Sequence, residues 1–279
     1  MRFRLMTYNV HACRGQGRSY SVQRVAEAIA EQSPDIVALQ EVDVDRRRSG
    51  QVDQPRELAE RLGMQHCFCA AMTWRASGTR FLPRPEKADA GYGNAVLSRF
   101  PIRIERSGLL PRPRGWPVEP RSALVVEIEV DGLRVKLVNT HLGLLAFERL
   151  TQIRALLGSA WVGALEGPLI LCGDLNARPA SRELRLLRAR LREALPLASD
   201  GPRRLLRLPQ LGGASSFPVA LPLVRLDHVL YTPELQVCRY EVPRTALTRQ
   251  ASDHLPVVVD FVTLSSQSVP GSEAERRLE

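Results

Sequence analysis

The residues of this sequence best suited to chemistry are acids and histidines that stand where apolar runs stop. Asp174 follows the apolar run 169–172, and Asp253 and His254 precede the run 257–259. A carboxylate beside a histidine can orient the imidazole and stabilise its cation. Several carboxylates at one place can hold a hard cation such as Mg²⁺. Together these groups suit the attack of water on a phosphate ester.

Similar polar residues recur at the ends of other apolar runs. A single aspartate of this kind is usually a turn or cap residue, and a single histidine usually has a structural role. A whole series is harder to explain in that way, because neighbouring strands would gather it at one edge of a sheet. The predicted series is Asn9, Glu41, Asn94, His141, Asp174, Asn176, Asp227, Asp253 and His254.

The spacing within the series suggests a division of labour. Asp174 and Asn176 are two positions apart, so on an extended segment their side chains point the same way. One could accept a proton from water while the other orients the water or the phosphate. His141 and His254 could donate to non-bridging phosphate oxygens, as an oxyanion hole does.

Oxygen ligands are the metal ligands that the sequence favours. Glu41 follows a short apolar run and suits Mg²⁺, although it could instead be a loop acid held by the arginines at 46–48. The five cysteines are odd in number and show no C-x-x-C spacing, so neither a zinc site nor a disulfide framework is predicted.

Length and composition are those of an ordinary globular chain. The 279 residues are 44% apolar and 25% charged, and no apolar run approaches the roughly 20 residues that span a bilayer. The first residues lead straight into a strand pattern, so no signal peptide is predicted. We expect a cytoplasmic monomer without a transmembrane segment.

The net charge of +9 is carried mainly by arginine. Guanidinium groups pair well with phosphate, so this charge favours an anionic partner such as nucleic acid, acidic lipid or a phosphorylated small molecule. The alternative is that many of these arginines are only solvated surface charges.

The order of helical and strand patterns indicates a mixed α/β fold. A strand pattern over 3–10 precedes a helix capped by Ser21, and Asp131-Gly132 joins two strands as a hairpin. A long helix is predicted over 147–165. The pattern favours two sheets packed on each other with helices outside. We predict one domain over 1–264 and a polar, disordered tail over 265–279.

Seven short motifs resemble, in the same order, those of one enzyme superfamily. This is the endonuclease/exonuclease/phosphatase, or deoxyribonuclease I-like, superfamily, here as a single-domain protein of bacterial type. The resemblance covers about residues 3–263. The motifs are TYNVH (7–11), LQEVD (39–43), GNAVLSR (93–99), NTHLG (139–143), GDLNA (173–177), RLDHV (225–229) and SDHLP (252–256).

The resemblance implies a four-layer α/β/β/α sandwich that depends on Mg²⁺ or Mn²⁺. It implies that Glu41 is the principal metal ligand, that Asn9 lies beside it and that Asp253 assists at the metal. On the phosphate side it implies Asn94 and Arg121.

The resemblance also implies catalytic roles. Asp174 would align or deprotonate the attacking water, and Asn176 would bind the phosphate. His254, oriented by Asp227, would contact the phosphate or act as an acid or base. His141 would be the second catalytic histidine.

Two details narrow the branch of the superfamily. Abasic-site repair enzymes carry an acid where this chain has His11, and they lack the histidine that this chain has at position 141. The chain is therefore closer to the deoxyribonuclease I, inositol-phosphatase and sphingomyelinase-like branches.

Three interpretations of the substrate remain open. A nuclease is favoured by the basic, aromatic stretches 74–84 and 112–116, which could meet a nucleic-acid backbone and stack on bases. A phospholipid or other small phosphodiester is favoured by the apolar run 219–224 beside Arg225, unless that run is buried core. A non-catalytic scaffold is disfavoured, because clustered carboxylates are costly to keep without a use.

Overall fold

Two six-stranded sheets form the centre of the computed structural model, which describes residues 1–74, 90–164, 166–196 and 213–263. The strands are β1 (Arg2–Asn9), β2 (Ile36–Val44), β3 (Gln65–Trp74), β4 (Ala90–Ser98), β5 (Ile102–Leu109), β6 (Ser122–Val130), β7 (Leu133–His141), β8 (Leu169–Asp174), β9 (Arg192–Glu193), β10 (Asp227–Tyr231), β11 (Leu235–Glu241) and β12 (Val257–Thr263). The first sheet has the order β11-β12-β1-β2-β4-β3, and the second β5-β6-β7-β8-β10-β9.

Helices cover the outer face of each sheet. They are α1 (Val22–Ala30), α2 (Gln54–Leu62), α3 (Ala146–Leu156), α4 (Arg182–Arg188) and α5 (Ala246–Ala251). Helices α1, α2 and α5 share an apolar core with the first sheet, and α3 and α4 share one with the second. A third apolar core lies between the sheets. The predicted four-layer α/β/β/α sandwich is therefore confirmed.

Local sequence explains how the first sheet starts. Ser21 caps α1 by accepting a hydrogen bond from the Arg24 amide at 3.1 Å, and Val25 and Ile29 turn one face of the helix to the sheet. This helix is the crossover between β1 and β2, which run parallel and pair Asn9 with Gln40. The carboxyl ends of both strands therefore reach the same edge.

The register of the second sheet aligns three polar residues in a row. Strands β7 and β8 are parallel and pair His141 with Asp174. Strands β8 and β10 are antiparallel and pair Asp174 with Asp227. Directly paired residues project from the same face of a sheet, so the three side chains share that face.

A buried polar network joins the two sheets. The Asn139 amide nitrogen on β7 donates to the carbonyl oxygens of Leu39 and Ala95, each at 2.8 Å. Its amide oxygen accepts a hydrogen bond from the Gln40 amide nitrogen at 2.7 Å. Buried amides that are paired in this way fix their neighbours, because an unpaired partner would be costly. Asn139 thus sets the relative position of β7 and β2.

One predicted helix is shorter in the structure, and strand β5 and helix α5 were not predicted. The helix predicted over 147–165 is α3, which ends at Leu156 and is followed by Gly158 in a turn. Glycine has low helix propensity, and the chain instead forms a short 3₁₀ turn over Val162–Ala164. Helix α5 was not predicted, although Thr245 caps it by accepting from the Thr248 amide at 3.2 Å. In the described ranges, the structure contains no helix of the length and apolarity that crossing a bilayer demands.

We expect Asp260→Asn to lower the free energy of unfolding by about 1.5–3 kcal/mol at pH 7, the usual worth of hydrogen bonds to a charged group. Asp260 is buried and accepts hydrogen bonds from Arg4 Nε at 2.6 Å and Arg2 Nη2 at 2.7 Å. The hydrogen bond from Arg4 in particular holds the pKa of Asp260 below its usual value. The carboxylate therefore stabilises the fold above about pH 4, its unfolded pKa, and this contribution is lost as pH falls through the lower folded value. Urea unfolding at a series of pH values should show the two proteins converging in acid; a constant difference would contradict this role.

Candidate functional site

Most of the predicted site residues meet at one end of the sandwich. Asn9 ends β1, His141 ends β7 and Asp174 ends β8, while Asp227 begins β10 and His254 lies in the turn before β12. Asp174, Asp227 and His141 are at least nine-tenths buried. The end of the second sheet thus forms the floor of the site.

Asn9 connects the two sheets across this site. Its amide nitrogen donates to Glu41 Oε1 at 2.8 Å and to Asp174 Oδ2 at 3.0 Å. Its amide oxygen accepts from the backbone N–H of His11 at 3.1 Å, which fixes the orientation of the amide. Asn9 therefore lies beside Glu41 as predicted, but it turns its nitrogen rather than its oxygen toward the two carboxylates.

Glu41 lies inside β2, not after its end as the sequence suggested. The pairing of β2 with β4 skips between Leu39 and Val42, and Glu41 within this bulge has φ of 59°. This left-handed backbone is unusual for glutamate. Bulges redirect side chains, and this one turns the half-buried Glu41 carboxylate toward the site. Burial and the neighbouring Glu41 carboxylate raise the pKa of Tyr92.

Asp174 is poised to exchange a proton near neutral pH. Burial and the neighbouring Asp227 carboxylate raise the pKa of Asp174 to about 7. Its Oδ1 accepts the backbone N–H of Asn176 at 2.9 Å, while Oδ2 faces the other site residues. A carboxyl group with a pKa near 7 suits a general base at neutral pH.

His254 is held as a cation by a buried acid. Its Nδ1 donates to Asp227 Oδ2 at 2.9 Å, and Ser216 Oγ donates to the same oxygen at 2.5 Å. Burial alone would lower the pKa of His254, but the Asp227 carboxylate outweighs it and raises the pKa to about 10. The ring packs on Phe217 at 4.7 Å between centroids, and its Nε2 lies 3.6 Å from Asp174 Oδ2.

His141, in contrast, is neutral. Burial, the Arg121 guanidinium and the His254 imidazolium lower its pKa well below the usual value. Arg121 Nη1 lies 3.1 Å from His141 Nδ1, and the Asn176 amide nitrogen lies beside His141 Nε2. Both neighbours only donate, so the neutral ring accepts from one of them and carries its proton on the other nitrogen. The Nε2 atom lies 3.5 Å from Asp174 Oδ2 and 3.0 Å from the Asn176 amide nitrogen. Both histidines therefore place Nε2 close to Asp174 Oδ2.

Arg121 joins the site to a neighbouring cleft. Its side chain is almost fully buried, pairs with Glu119 Oε2 at 3.2 Å and leaves Nε without a hydrogen-bond partner. The adjoining cleft has a volume of about 400 Å³, and Trp116 and Leu144 are among its lining residues. Arg121 is thus placed between His141 and an open space beside the site.

Two predicted site residues lie outside the central cluster. Asp253 is half-exposed, and its Oδ1 faces His11 Nδ1 at 3.5 Å. Asn94 lies in the middle of β4, so its predicted position at a strand end is wrong. The Asn94 amide nitrogen donates to the Ser122 carbonyl at 2.9 Å, which ties the first sheet to the second. Whether an amide falls in mid-strand depends on strand pairing, which the sequence pattern does not specify.

The site has the oxygen donors that a hard cation needs. Within the described ranges, two groups of side chains have ligand atoms that lie within 4.8 Å of one another: Glu41, His141 and Asp174, and Asp174, Asp227 and His254. Neither group includes Asp253. The imidazolium of His254 cannot ligate, so the first group fits a divalent cation better. Its two acids come from different sheets and share the Asn9 amide as a common hydrogen-bond donor.

Sequence reasoning assigned no role to three residues at this site. Ser216 supports Asp227, Ser252 Oγ donates to the Asn9 carbonyl at 2.7 Å, and His11 faces Asp253. Ser252 and His11 fall inside motifs noted in the sequence, which is a usable signal. Ser216 follows a serine in a stretch without a motif, and only the fold reveals its contact.

Two comparisons at the level of sequence find related proteins. The model of the Endonuclease/Exonuclease/phosphatase family matches residues 6–254. The uncharacterized protein YbhP of Escherichia coli K12 is 27% identical over 267 residues, which are 93% of this chain and 96% of that protein.

Solved structures share the fold. An endonuclease/exonuclease/phosphatase from Beutenbergia cavernae superposes with a TM-score of 0.70 and 25% identity, over 94% of this chain and 72% of that one. Two further structures are similar in fold alone. The catalytic domain of human nocturnin superposes with a TM-score of 0.63 and 23% identity, over 94% of each chain. A mannosyl-6-phosphatase of Bacteroides thetaiotaomicron superposes with a TM-score of 0.66 and 18% identity, over 93% of this chain and 99% of that one.

Proposed function

This chain belongs to the endonuclease/exonuclease/phosphatase family, and from that membership and the site geometry we propose that it hydrolyses phosphodiesters with the help of Mg²⁺ or Mn²⁺. The observation that carries the proposal is the buried Asp174, with a pKa of about 7, between the cationic His254 and the neutral His141. Such pairs of titratable groups with pKa values pushed apart indicate acid and base roles.

Each step of the proposed reaction is assigned to a side chain of the site. Asp174 takes a proton from water as the water oxygen bonds to phosphorus. One phosphorus–oxygen ester bond breaks, and the His254 imidazolium gives a proton to the leaving oxygen. In the tautomer with its proton on Nε2, His141 stabilises the charge that develops on the phosphoryl oxygens, while Asn176 and Arg121 position the phosphate. The products are an alcohol and a phosphomonoester.

Glu41 is the residue best placed to hold the cation, with Asp174 within reach and Asn9 fixing both carboxylates. When bound, Mg²⁺ or Mn²⁺ supplies positive charge that offsets the charge developing on the phosphoryl oxygens. Asp253 assists from the half-exposed rim in this proposal.

A diester fits the charge of the site better than a monoester does. A diester phosphate carries one negative charge, whereas a monoester near neutral pH carries ~2, as a phosphorylated side chain does. Arg121 is the arginine that contacts the site in the described ranges, and it is already paired with Glu119. The His254 cation is likewise bonded to Asp227, so both cationic side chains at the site are already partly neutralised, which favours the phosphate of lower charge.

The identity of the diester stays a prediction. Of the two stretches that favoured nucleic acid, residues 75–84 lie outside the described residues. In the other, Arg112, Arg114 and Trp116 are exposed. These side chains are available to an anionic substrate of either kind, nucleic acid or lipid.

A hydrolysis panel tests the proposed reaction. Purified protein with Mg²⁺ is given plasmid DNA, single-stranded DNA, RNA, phospholipid vesicles, a soluble diester and soluble monoesters, with Asp174→Asn as the blank. We expect diester hydrolysis that disappears in the blank. Hydrolysis of monoesters alone, or equal rates in the blank, would refute it.

Glu41→Gln should raise the Mg²⁺ concentration needed for half-maximal rate by about tenfold or more, because one charged oxygen ligand is lost. Rates at saturating Mg²⁺ should recover in part. Glu127→Gln is the matched control, since the Glu127 side chain has a similar exposure, 15% against 21%, and pairs with Arg103 away from the site. A metal titration that is unchanged in Glu41→Gln would remove Glu41 as a ligand.

A further inference from the structure

Exposed apolar side chains gather around the mouth of the site. Nine large apolar side chains are exposed among the described residues, and six of them lie on segments at the site end of the second sheet. We call these six the apolar rim: Leu109, Trp116, Leu144, Phe147, Leu221 and Leu223. Single exposed apolar residues are common, but a group around one opening marks a binding surface.

One half of the apolar rim lies beside His141. The chain leaves β7 at His141 and reaches Leu144, which is 70% exposed, and then Phe147 in the first turn of α3. Phe147 packs edge-on against Trp116 at 5.1 Å between ring centroids. Trp116 belongs to the loop that leads to Arg121, so this half borders the phosphate side of the site.

The other half lies beside His254, on a tight loop over 217–224. The N–H groups of Leu223 and Val224 donate to the Phe217 carbonyl at 3.0 and 2.9 Å, which closes the loop. Val219 points into the core between the sheets, whereas Leu221 and Leu223 are 62% and 43% exposed. The run 219–224 is therefore neither all core nor all surface, and its two leucines project beside Phe217, which packs on His254.

Basic side chains accompany the apolar rim. Arg112 and Arg114 are exposed in the same loop as Trp116, and Arg178 is exposed in the loop that follows Asn176. The whole chain carries a net charge of +9. Apolar tips flanked by arginines match a surface that is apolar within and anionic at its face.

We propose that the apolar rim seats the protein on membranes that contain anionic phospholipids, and that the phosphodiester brought to the site is that of a lipid headgroup. The second half of this statement rests on the proposed function; the first does not. The bond changes are those given above, and one of the two products stays in the bilayer.

The arrangement of the apolar rim favours a membrane over other kinds of partner. One half lies beside His141, which pairs with Asp174 from β7, and the other beside His254, which is bonded to Asp227 on β10, the neighbour of Asp174 on its other side. A partner that covers both halves therefore also covers the mouth of the site. A protein partner there would block the substrate, whereas a bilayer delivers it. Nucleic acid would gain little from four leucines, because its outer surface is charged phosphate and sugar.

The test measures vesicle binding by the full-length Asp174→Asn protein, which cannot alter the lipid if the proposed reaction is correct. Co-sedimentation is compared for phosphatidylcholine vesicles with and without phosphatidylglycerol. We expect binding to the anionic vesicles, and a drop of at least about tenfold for Leu221→Ser with Leu223→Ser, since burying one leucine is worth about that much. Ile104→Ser removes an exposed apolar side chain on β5 outside the rim and should bind as before.

The outcomes are distinct for the surface and for the reaction. The membrane surface would be overturned if the protein did not bind anionic vesicles, or if the leucine variant bound them as well as the protein without those substitutions. It would also be overturned if DNA displaced the vesicles in a competition experiment. In the otherwise unmutated protein, the same leucine substitutions should leave hydrolysis of a soluble diester unchanged. A wild-type protein that binds vesicles but hydrolyses no soluble or lipid diester would instead refute the proposed function and leave the surface standing.

Discussion

Replacing Asp174 by asparagine should lower the rate of diester hydrolysis by about 10²–10⁴-fold, the usual contribution of a general base. The substitution keeps the shape of the side chain and removes the atom that takes the proton. Because the pKa of Asp174 is raised to about 7, the active carboxylate is present above that pH and lost below it. At low Mg²⁺, the wild-type rate should therefore fall as pH drops through 7, and the residual rate of the variant should not.

The control for this substitution is a second buried aspartate. Asp260→Asn changes the same chemical group at the other end of the first sheet, beside the start of β1, and should keep its rate at neutral pH once its lower stability is allowed for. The circular dichroism spectrum of Asp174→Asn should match that of the wild type. Its melting temperature should be equal or higher, since one of two repelling buried acids is gone. A near-normal rate in a folded variant would remove the mechanism.

The second large effect is expected for His254→Ala, at about 10²–10³-fold, the cost of removing one preorganised donor. The cation of His254 is present below its folded pKa of about 10 and lost above it. The wild-type rate should thus hold through mildly alkaline pH and fall near 10. Asp227→Asn removes the acid that raises this pKa, so its alkaline fall should begin at lower pH, with part of the rate retained in acid.

The pH profile separates positioning from simple structural damage. If Asp227→Asn only destabilised the protein, the rate would fall at all pH values in proportion to the unfolded fraction. The pH at which the rate falls on the alkaline side would then not change. His66→Ala, which alters an exposed histidine on β3, serves as the control for histidine loss and should behave as the wild type. If the alkaline fall in rate occurred at the same pH in Asp227→Asn as in the wild type, Asp227 would not govern the protonation of His254.

Much of the site was predictable because its residues stand at strand ends. The ends of parallel strands share an edge, so His141 and Asp174 could be placed together from the sequence, and Asn9 could be placed beside the carboxyl end of β2. The contact of Asn9 with Asp174 depends on how the two sheets pack. The charge states of the two histidines could not be predicted in this way. They depend on which neighbour each ring meets, Arg121 for His141 and Asp227 for His254, and those contacts join residues far apart in the chain.

Features that arise from tertiary pairing were missed. The left-handed bulge at Glu41 is not favoured by glutamate itself and exists because β2 and β4 slip by a residue beside it. The run 219–224 was open to a core interpretation because leucine and valine usually bury. Pro218 directly before that stretch and Pro222 within it were the available signal that it turns rather than extends.

Because β12 pairs with β1, the site can form only after nearly all of the described chain has been synthesised. These strands come from opposite ends of the described sequence, yet they are neighbours inside the first sheet, and the site needs both Asn9 and His254. Since chains emerge from the ribosome N-terminus first, no nascent fragment holds a complete site until residues near 254 have left the exit tunnel. The proposed hydrolysis could therefore begin only late in synthesis, and proteolytic loss of the segment from His254 through β12 would remove one of the residues it needs.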